Sequence, residues 1–494
     1  MVSDGMGPAS LSLTRSFRQY TDGLEYGNTL TLDKHYWGSS RTRSSSSLVT
    51  DSAAGATAFS CGQKSYNGAI STLPDFTPCG TVLEAAKKAG YKTGLVVTTD
   101  ITDATPACFA SHVHYRSQND EIALQEVGNG PLGRVVDLMF GGGRCRFLPN
   151  STAGGCRADD INVVEIARKE HGWNYINDRA AFDEFWESKK DVPLPMLGLF
   201  ADYDVPFELD RRNMNDVYPS LSEMAKTALK ALEKATEGSD KGFFLMIEGS
   251  RIDHAGHGND PAAQVREVLE YDKTFAAVLD FLEQSSTPGV LVSTSDHETG
   301  GLAVARQVNA DYPQYLWYPA VLANASSSSE HLAHHLREHI SKSTEQSLDK
   351  LKKFIEVELV ASGLGIHDAS EEELTALASD PDRAQSLFAD MISVRAQIGW
   401  STHGHSAVDV NIYSSGGPGA EAIRGNVENT DVGKYLRDYL NVDVDAITKE
   451  LNDKMGSGAG LGPADRSIAG MESPLAEDHW AAHEEMETKR GDLA

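Results

Sequence analysis

Four apolar runs punctuate the chain, and each stops on an acidic residue. "MVSD" ends at Asp4, "GLVVTTD" at Asp100, "FFLMIE" at Glu248, and "GVLVSTSDH" at Asp296-His297. Short apolar runs closed by a polar stop read as buried strands. Between them the apolar positions recur at helical spacing. Ser220 to Thr236 opens on a capping box, Ser220-x-x-Glu223, and sets Leu221, Met224, Ala225, Ala228, Leu229 and Leu232 on one face before Gly238. A second helix follows Asp260-Pro261, a cap and first-turn proline, with Val265, Val268, Leu269, Phe275 and Leu279 turned inward.

Strands alternating with helices predict an α/β fold, a central, mostly parallel sheet flanked by helices. Ligands of such sheets bind beyond the carboxyl ends of the strands, where this chain places its acids and histidines. Residues 307–400 read as a helical insertion in a single catalytic domain covering residues 1–440. From 441 to 494 the chain turns polar, acidic and glycine-rich, which predicts a flexible tail. Only three residues precede Asp4. The first strand is therefore expected to be very short and to hold Asp4 loosely. Further sequence is expected upstream, where any membrane anchor would lie.

Composition adds two constraints. The 494 residues are 40% hydrophobic, enough for a sizeable core, and the formal charge is −28. That charge argues against nucleic acid or an anionic membrane surface as partner. It would also repel an anionic substrate unless the site held a local source of positive charge, for which bound metal ions are the candidates. Five cysteines are too few for a disulfide scaffold. Cys145 and Cys156 nevertheless bracket a short glycine-rich loop that a bridge would close. Asn150 and Asn324 open glycosylation sequons, and with the bridge they point to the secretory pathway. No apolar run reaches transmembrane length.

The chemistry concentrates at the strand ends. In "EGSRIDHAGHGND", Asp253 and His257 are four apart and share a face of a helical turn. They form a partial zinc site that needs one or two further ligands. Asp296 and His297, in a turn, can reach one ion together. His403 and His405 precede a period-2 strand, and either would complete the first site. Asp103 and Thr105 offer hard oxygens suited to magnesium, and Arg116 offers a planar fork suited to phosphate. In "LVTDSAAGATAF", Asp51-Ser52 stands at a helix start, as an ordinary cap or as a nucleophile. In the second case Ala53, Ala54 and Gly55 would leave phosphate room to reach the backbone amides. No Gly-x-Ser-x-Gly elbow is present, which disfavours a Ser-His-Asp triad. The serine would then need a metal to activate it. His331, His335 and His339 recur every four residues beside an apolar stripe and read as a solvated flank.

Six motifs in order, "SDGMG", "VTDSAAGATAF", "TDATPA", "EGSRIDHAGH", "SDHETGG" and "THGHSAVDV", make the chain from Asp4 to about Tyr413 resemble the alkaline phosphatases. It is most similar to their fungal vacuolar type. The resemblance implies one zinc on Asp253, His257 and His405, the last preferred over His403 because the family's ligand lies four residues before Asp409. It implies a second zinc on Asp4, Asp296 and His297. A magnesium would take Asp4, Thr105 and Glu248, with Asp51 and Asp103 behind the ligands. Ser52 would be the nucleophile and Arg116 the phosphate clamp. The implied activity is hydrolysis of small phosphate monoesters through a phosphoserine, by a homodimer in the vacuolar lumen or secretory pathway. A phosphodiesterase or another hydrolase of the same metal-dependent superfamily is the alternative. A sulfatase is disfavoured, since Ser52 is followed by Ala-Ala-Gly-Ala instead of x-Pro-x-Arg.

Overall fold

The computed structural model describes residues 1–186, 190–342 and 347–455. Its strands are β1 (Tyr36–Arg41), β2 (Lys92–Asp100), β3 (Leu138–Gly142), β4 (Asn174–Ile176), β5 (Met196–Leu199), β6 (Phe243–Ile247), β7 (Val292–Thr294), β8 (Glu298–Thr299), β9 (His405–Ser406), β10 (Val410–Ser414) and β11 (Gly425–Glu428). Five of them run parallel in the order β4-β5-β3-β2-β6. Four more follow the order β11-β1-β10-β7, with β10 antiparallel to both neighbours.

Residues 1–3 join the two sheets. Val2 N donates to Ile247 O (2.8 Å) and Val2 O accepts from Gly249 N (2.9 Å), while Ser3 N donates to Thr294 O (3.0 Å). The segment is parallel to both edges, so it fills the slot between β6 and β7 and closes one continuous sheet. The expected looseness at Asp4 is absent for this reason. Three residues suffice when their alternating sides are both paired, Val2 to Ile247 and Gly249 and its two neighbours to Val292 and Thr294, because every buried backbone group then has a partner.

Helices cover both faces. Leu221–Ala235 begins on the Ser220–Glu223 capping box, and Pro261–Gln284 begins on Asp260, whose carboxylate accepts from Ala262 N and Ala263 N. One core lies between the sheet and the first of these helices, with Met224, Ala228 and Leu232 packed on Leu138, Phe140 and Ile247. The 307–400 region carries helices from Pro319 to Ala396 around an apolar cluster of its own, including Leu332, Leu336, Leu359 and Phe388. In that cluster His339 stacks on Phe354, 3.6 Å between ring centroids.

The predicted boundary at 440 needs correction. Val444–Met455 is a helix, and its Val444, Ile447 and Leu451 are buried against Ala85. Three apolar residues at spacings of three and four make one narrow stripe in an otherwise charged segment, too faint to outweigh the polar composition. The remainder of the predicted tail, 456–494, lies outside the described residues. Two disulfides are present, Cys145–Cys156 and Cys61–Cys79. The second, which sequence reading missed, fastens the end of the helix Ser52–Cys61 to the residues leading into Val82–Lys88.

One buried acid makes stability depend on pH. Glu126 is fully buried, and neither carboxyl oxygen has a hydrogen-bond partner among the described residues. Burial, and secondarily the charge of Asp100, push its pKa well above the ordinary 4.5. The folded state thus keeps a proton that the unfolded chain gives up near pH 4.5. Stability therefore falls as pH climbs from there through the raised folded value. Glu126→Gln removes the titration. The variant should melt close to the parent at pH 5 and above it at pH 9, as followed by circular dichroism.

Candidate active site

Ser52 opens the helix Ser52–Cys61, and Asp51 caps it, accepting from Ala54 N (3.0 Å). The serine oxygen lies where the helix dipole favours negative charge. Every residue of this helix is buried, which explains its small side chains differently from the sequence reading. Ala53 and Ala56 pack on Ala107 and Cys108. A Cβ on Gly55 would fall 2.8 Å from Asp296 Cβ. The helix is thin so that neighbours can close on it from all sides, Asp296 among them.

Two groups of side chains converge beside Ser52. Asp253, His257 and His405 form one, and Asp4, Asp296 and His297 the other, each with its donor atoms within 4.8 Å of one another. The helix Arg251–His257 presents Asp253 and His257 one turn apart, with Asp253 Oδ2 3.3 Å from His257 Nε2. His405 enters from β9, its Nε2 3.1 Å from His257 Nε2. His297 Nε2 lies 3.0 Å from Asp296 Oδ2, 3.5 Å from Asp4 Oδ1 and 3.1 Å from Ser52 Oγ. Gly5, with φ +73, lets the chain turn after Asp4 where a Cβ would sit 2.6 Å from Asp253 Cα.

The far nitrogen of each histidine is already engaged. His405 Nδ1 meets Thr50 O at 2.7 Å, His257 Nδ1 meets His403 O, and His297 Nδ1 meets Thr299 Oγ1 at 3.2 Å. Carbonyl acceptors put the proton on Nδ1 of His405 and His257 and leave Nε2 as a lone-pair donor. A hydrolytic triad would instead need a carboxylate on the far nitrogen of the base, and His297 has Thr299 there. His403 is thus no member of the cluster; its carbonyl orients His257.

The donor set fits cations. Two imidazole Nε2 atoms 3.1 Å apart match the spacing of about 3.3 Å that tetrahedral Zn–N bonds of about 2.0–2.1 Å would impose. Asp4 Oδ1, Asp296 Oδ2 and Thr105 Oγ1 are buried with no hydrogen-bond partner among the described residues. Glu248, just past β6, is pushed up to about 8 by burial, with the Asp103 and Asp296 carboxylates adding to the shift. Asp4 is raised well above the carboxylate range by burial, then by Asp296, Asp253 and Glu248. Burying this many carboxylates together without positive charge is costly, and divalent ions would supply that charge.

Arg116 reaches the caps of two helices, Asp51 next to Ser52 and Asp103 two residues before Thr105. Its Nη2 donates to Asp103 Oδ1 (2.8 Å) and its Nη1 approaches Asp51 Oδ2 (3.5 Å), which also accepts from Gly68 N (2.8 Å). Burial opposes its charge, and the two carboxylates outweigh that and hold it protonated. Asp103 also caps the helix Ala104–Ala110 that carries Thr105. Asp51 and Asp103 therefore fix the guanidinium relative to both helix starts.

Sequence reasoning missed Thr299, Ser295 and the carbonyl of Thr50. Thr299 Oγ1 donates to Asp253 Oδ1 and meets His297 Nδ1. One hydroxyl thus links a member of each cluster. Ser295 Oγ, 2.6 Å from both Ser3 O and His297 O and accepting from Met6 N (3.0 Å), pins the turns that carry Asp4 and His297. Both residues stand in "STSDHETGG", so asking what orients each histidine would have singled out Thr299.

Residues 1–442 match the family model "Alkaline phosphatase". The chain is 54% identical over 470 residues to the repressible alkaline phosphatase of Saccharomyces cerevisiae, covering 92% of this chain and 82% of that one. Its structure is similar to the cold-active alkaline phosphatase of Shewanella sp., with a TM-score of 0.72, 30% identity, and 89% of this chain and 98% of that one covered. It is also similar to an alkaline phosphatase variant from TAB5 with Mg bound in its M3 site, at a TM-score of 0.60 and 26% identity, with 90% and 96% covered. The fold, the clustered acids and histidines beside Ser52 and these matches agree: the chain belongs to the alkaline phosphatase family and is an enzyme that hydrolyses phosphate monoesters with metal cofactors.

Proposed function

We propose that the chain hydrolyses small phosphate monoesters through a phosphoserine on Ser52, with two zinc ions and one magnesium. Asp253, His257 and His405 would hold the first zinc, Asp4, Asp296 and His297 the second. Magnesium would take Asp4, Thr105 and Glu248. The observation that carries this reading is a run of three imidazoles that starts at the Ser52 hydroxyl: His297 Nε2 meets Ser52 Oγ, His405 stacks on His297 with 3.4 Å between ring centroids, and His405 Nε2 meets His257 Nε2, each of the three having its Nδ1 engaged. When bound, the ions would act as Lewis acids that stabilise oxyanions and acidify water.

The residues of the chain perform the rest. Ser52, at the positive end of its helix, presents Oγ to the phosphorus atom. The Oγ–P bond forms as the bond to the alcohol oxygen breaks; the Ser52 hydroxyl proton passes to solvent, and the alcohol leaves with a proton from solvent. Water then attacks the phosphoserine, inorganic phosphate departs, and Ser52 regains its proton. Through both displacements Arg116 would bind two phosphoryl oxygens with its fork, steadied by Asp51 and Asp103.

Exhaustive dialysis against a chelator should abolish p-nitrophenyl phosphate hydrolysis, and zinc with magnesium should restore it. Activity that survives removal of all metal, verified by elemental analysis, would refute the reading. Thr299→Val tests the link between the clusters. Losing a hydrogen-bond partner that stands behind metal ligands costs about 10–100-fold in affinity. Zinc affinity should fall at both sites by that factor, measured by competition with a chromogenic chelator.

A vacuolar or secretory route is supported by two disulfides and by the exposed sequon residues Asn150 and Asn324. Among the described residues no helix is long and apolar enough to cross a membrane.

A further inference from the structure

The helix that carries Asp253 and His257 is seven residues long, Arg251–His257, and no side chain caps its first turn. A helix this short has little stability of its own, so its position is set by whatever holds its ends. At the first end stands Arg251, which is 1% exposed. Its guanidinium lies 3.7 Å over the Phe207 ring, donates to Val205 O (3.2 Å), and donates through Nη2 to Glu330 Oε2 (2.7 Å). Asp204 Oδ2 lies 3.7 Å from Nε. Glu330 belongs to Ser329–Lys342, a helix of the 307–400 insertion.

At the other end the same insertion takes hold again. Ser329 N donates to Asp260 Oδ2 (2.7 Å), and Ser393 Oγ donates to Asn259 O (3.2 Å). The start of one insertion helix thus grips the chain immediately before Asp253 and shortly after His257. A buried ion pair is a poor way to gain stability, since well-packed apolar residues do as well or better. It does enforce one geometry, because a planar fork with several fixed acceptors admits few orientations.

We propose that the helical insertion braces the metal-bearing helix, with Arg251 and Glu330 as the positioning pair that sets where Asp253 and His257 stand. The proposal rests on the two-zinc reading above. It assigns the insertion a role in metal retention at one site and none at the other, whose ligands Asp4, Asp296 and His297 lie outside the helix.

The test is zinc release from the fully loaded enzyme into a chromogenic chelator. The parent should release two zincs per chain. In Glu330→Ala, one of them should leave about tenfold faster or more, the scale of losing a supporting contact behind a metal ligand, while the other keeps the parent rate. Glu330→Gln retains reach and an acceptor oxygen, and should stay within about threefold of the parent. If Glu330→Ala does not fold, Arg251→Lys, which keeps the charge and loses the fork, should show the same selective acceleration. Variants that melt lower yet release both zincs at parental rates would overturn the proposal, because the pair would then only stabilise the fold. Equal acceleration of both zincs would also overturn it. A parent that binds no zinc would show, before any variant is compared, that the underlying reading had failed.

Discussion

Ser52→Ala should lose p-nitrophenyl phosphate hydrolysis by about a thousandfold or more in kcat, a barrier increase of about 4 kcal/mol, with zinc and magnesium content unchanged. The substitution removes one oxygen at the first position of a buried helix. It sacrifices one hydrogen bond to His297, worth about 1 kcal/mol, so the melting temperature should move little. Asp51 still caps the helix and still supports Arg116. Any purely structural role for Ser52 predicts the reverse pattern, retained turnover and lowered melting. Electrospray mass spectrometry of acid-quenched parent enzyme should show a phosphorylated species that Ser52→Ala lacks.

Asp296→Asn should have the next largest effect. The side chain is fully buried, its Oδ2 has no hydrogen-bond partner among the described residues, and it faces His297 Nε2 at 3.0 Å. An amide keeps the shape and removes the charge. Bound zinc should fall from two per chain to one, and kcat/KM should drop by more than the roughly 10–100-fold expected for a contact behind a metal ligand. Elemental analysis of the gel-filtered protein reads the stoichiometry, and excess zinc should recover part of the rate. Full zinc content with full activity would remove Asp296 from the site.

What could be read from the sequence was whatever is local. The acids at the ends of apolar runs, the one-turn spacing of Asp253 and His257, the capping boxes and the strand–helix alternation each occupy a few adjacent residues. The parallel sheet followed from that alternation. The contacts that make the site work are long-range. Gly5 N points at Asp296 Oδ1 across 291 positions. Thr50 acts on His405 through a backbone carbonyl, a group every residue has and no side chain advertises. Gly55 is small because Asp296 approaches it, which is visible only once two distant segments are packed. Choosing Cys79 as partner for Cys61 likewise required knowing that the end of one helix meets the approach to another. The three-residue strand at Met1–Ser3 looked too short because a sequence shows its length and hides the two neighbours that pair with it.

The central claim is that side chains from separate strand ends seat two zinc ions next to the Ser52 hydroxyl. The most direct measurement is anomalous diffraction at the zinc edge from crystals of the purified, zinc-loaded enzyme. The account predicts two strong peaks per chain, one bonded to Asp253, His257 and His405 and one bonded to Asp4, Asp296 and His297, both within reach of Ser52 Oγ. A map with no zinc peak among these six side chains, from enzyme that is active in the same preparation, would contradict it.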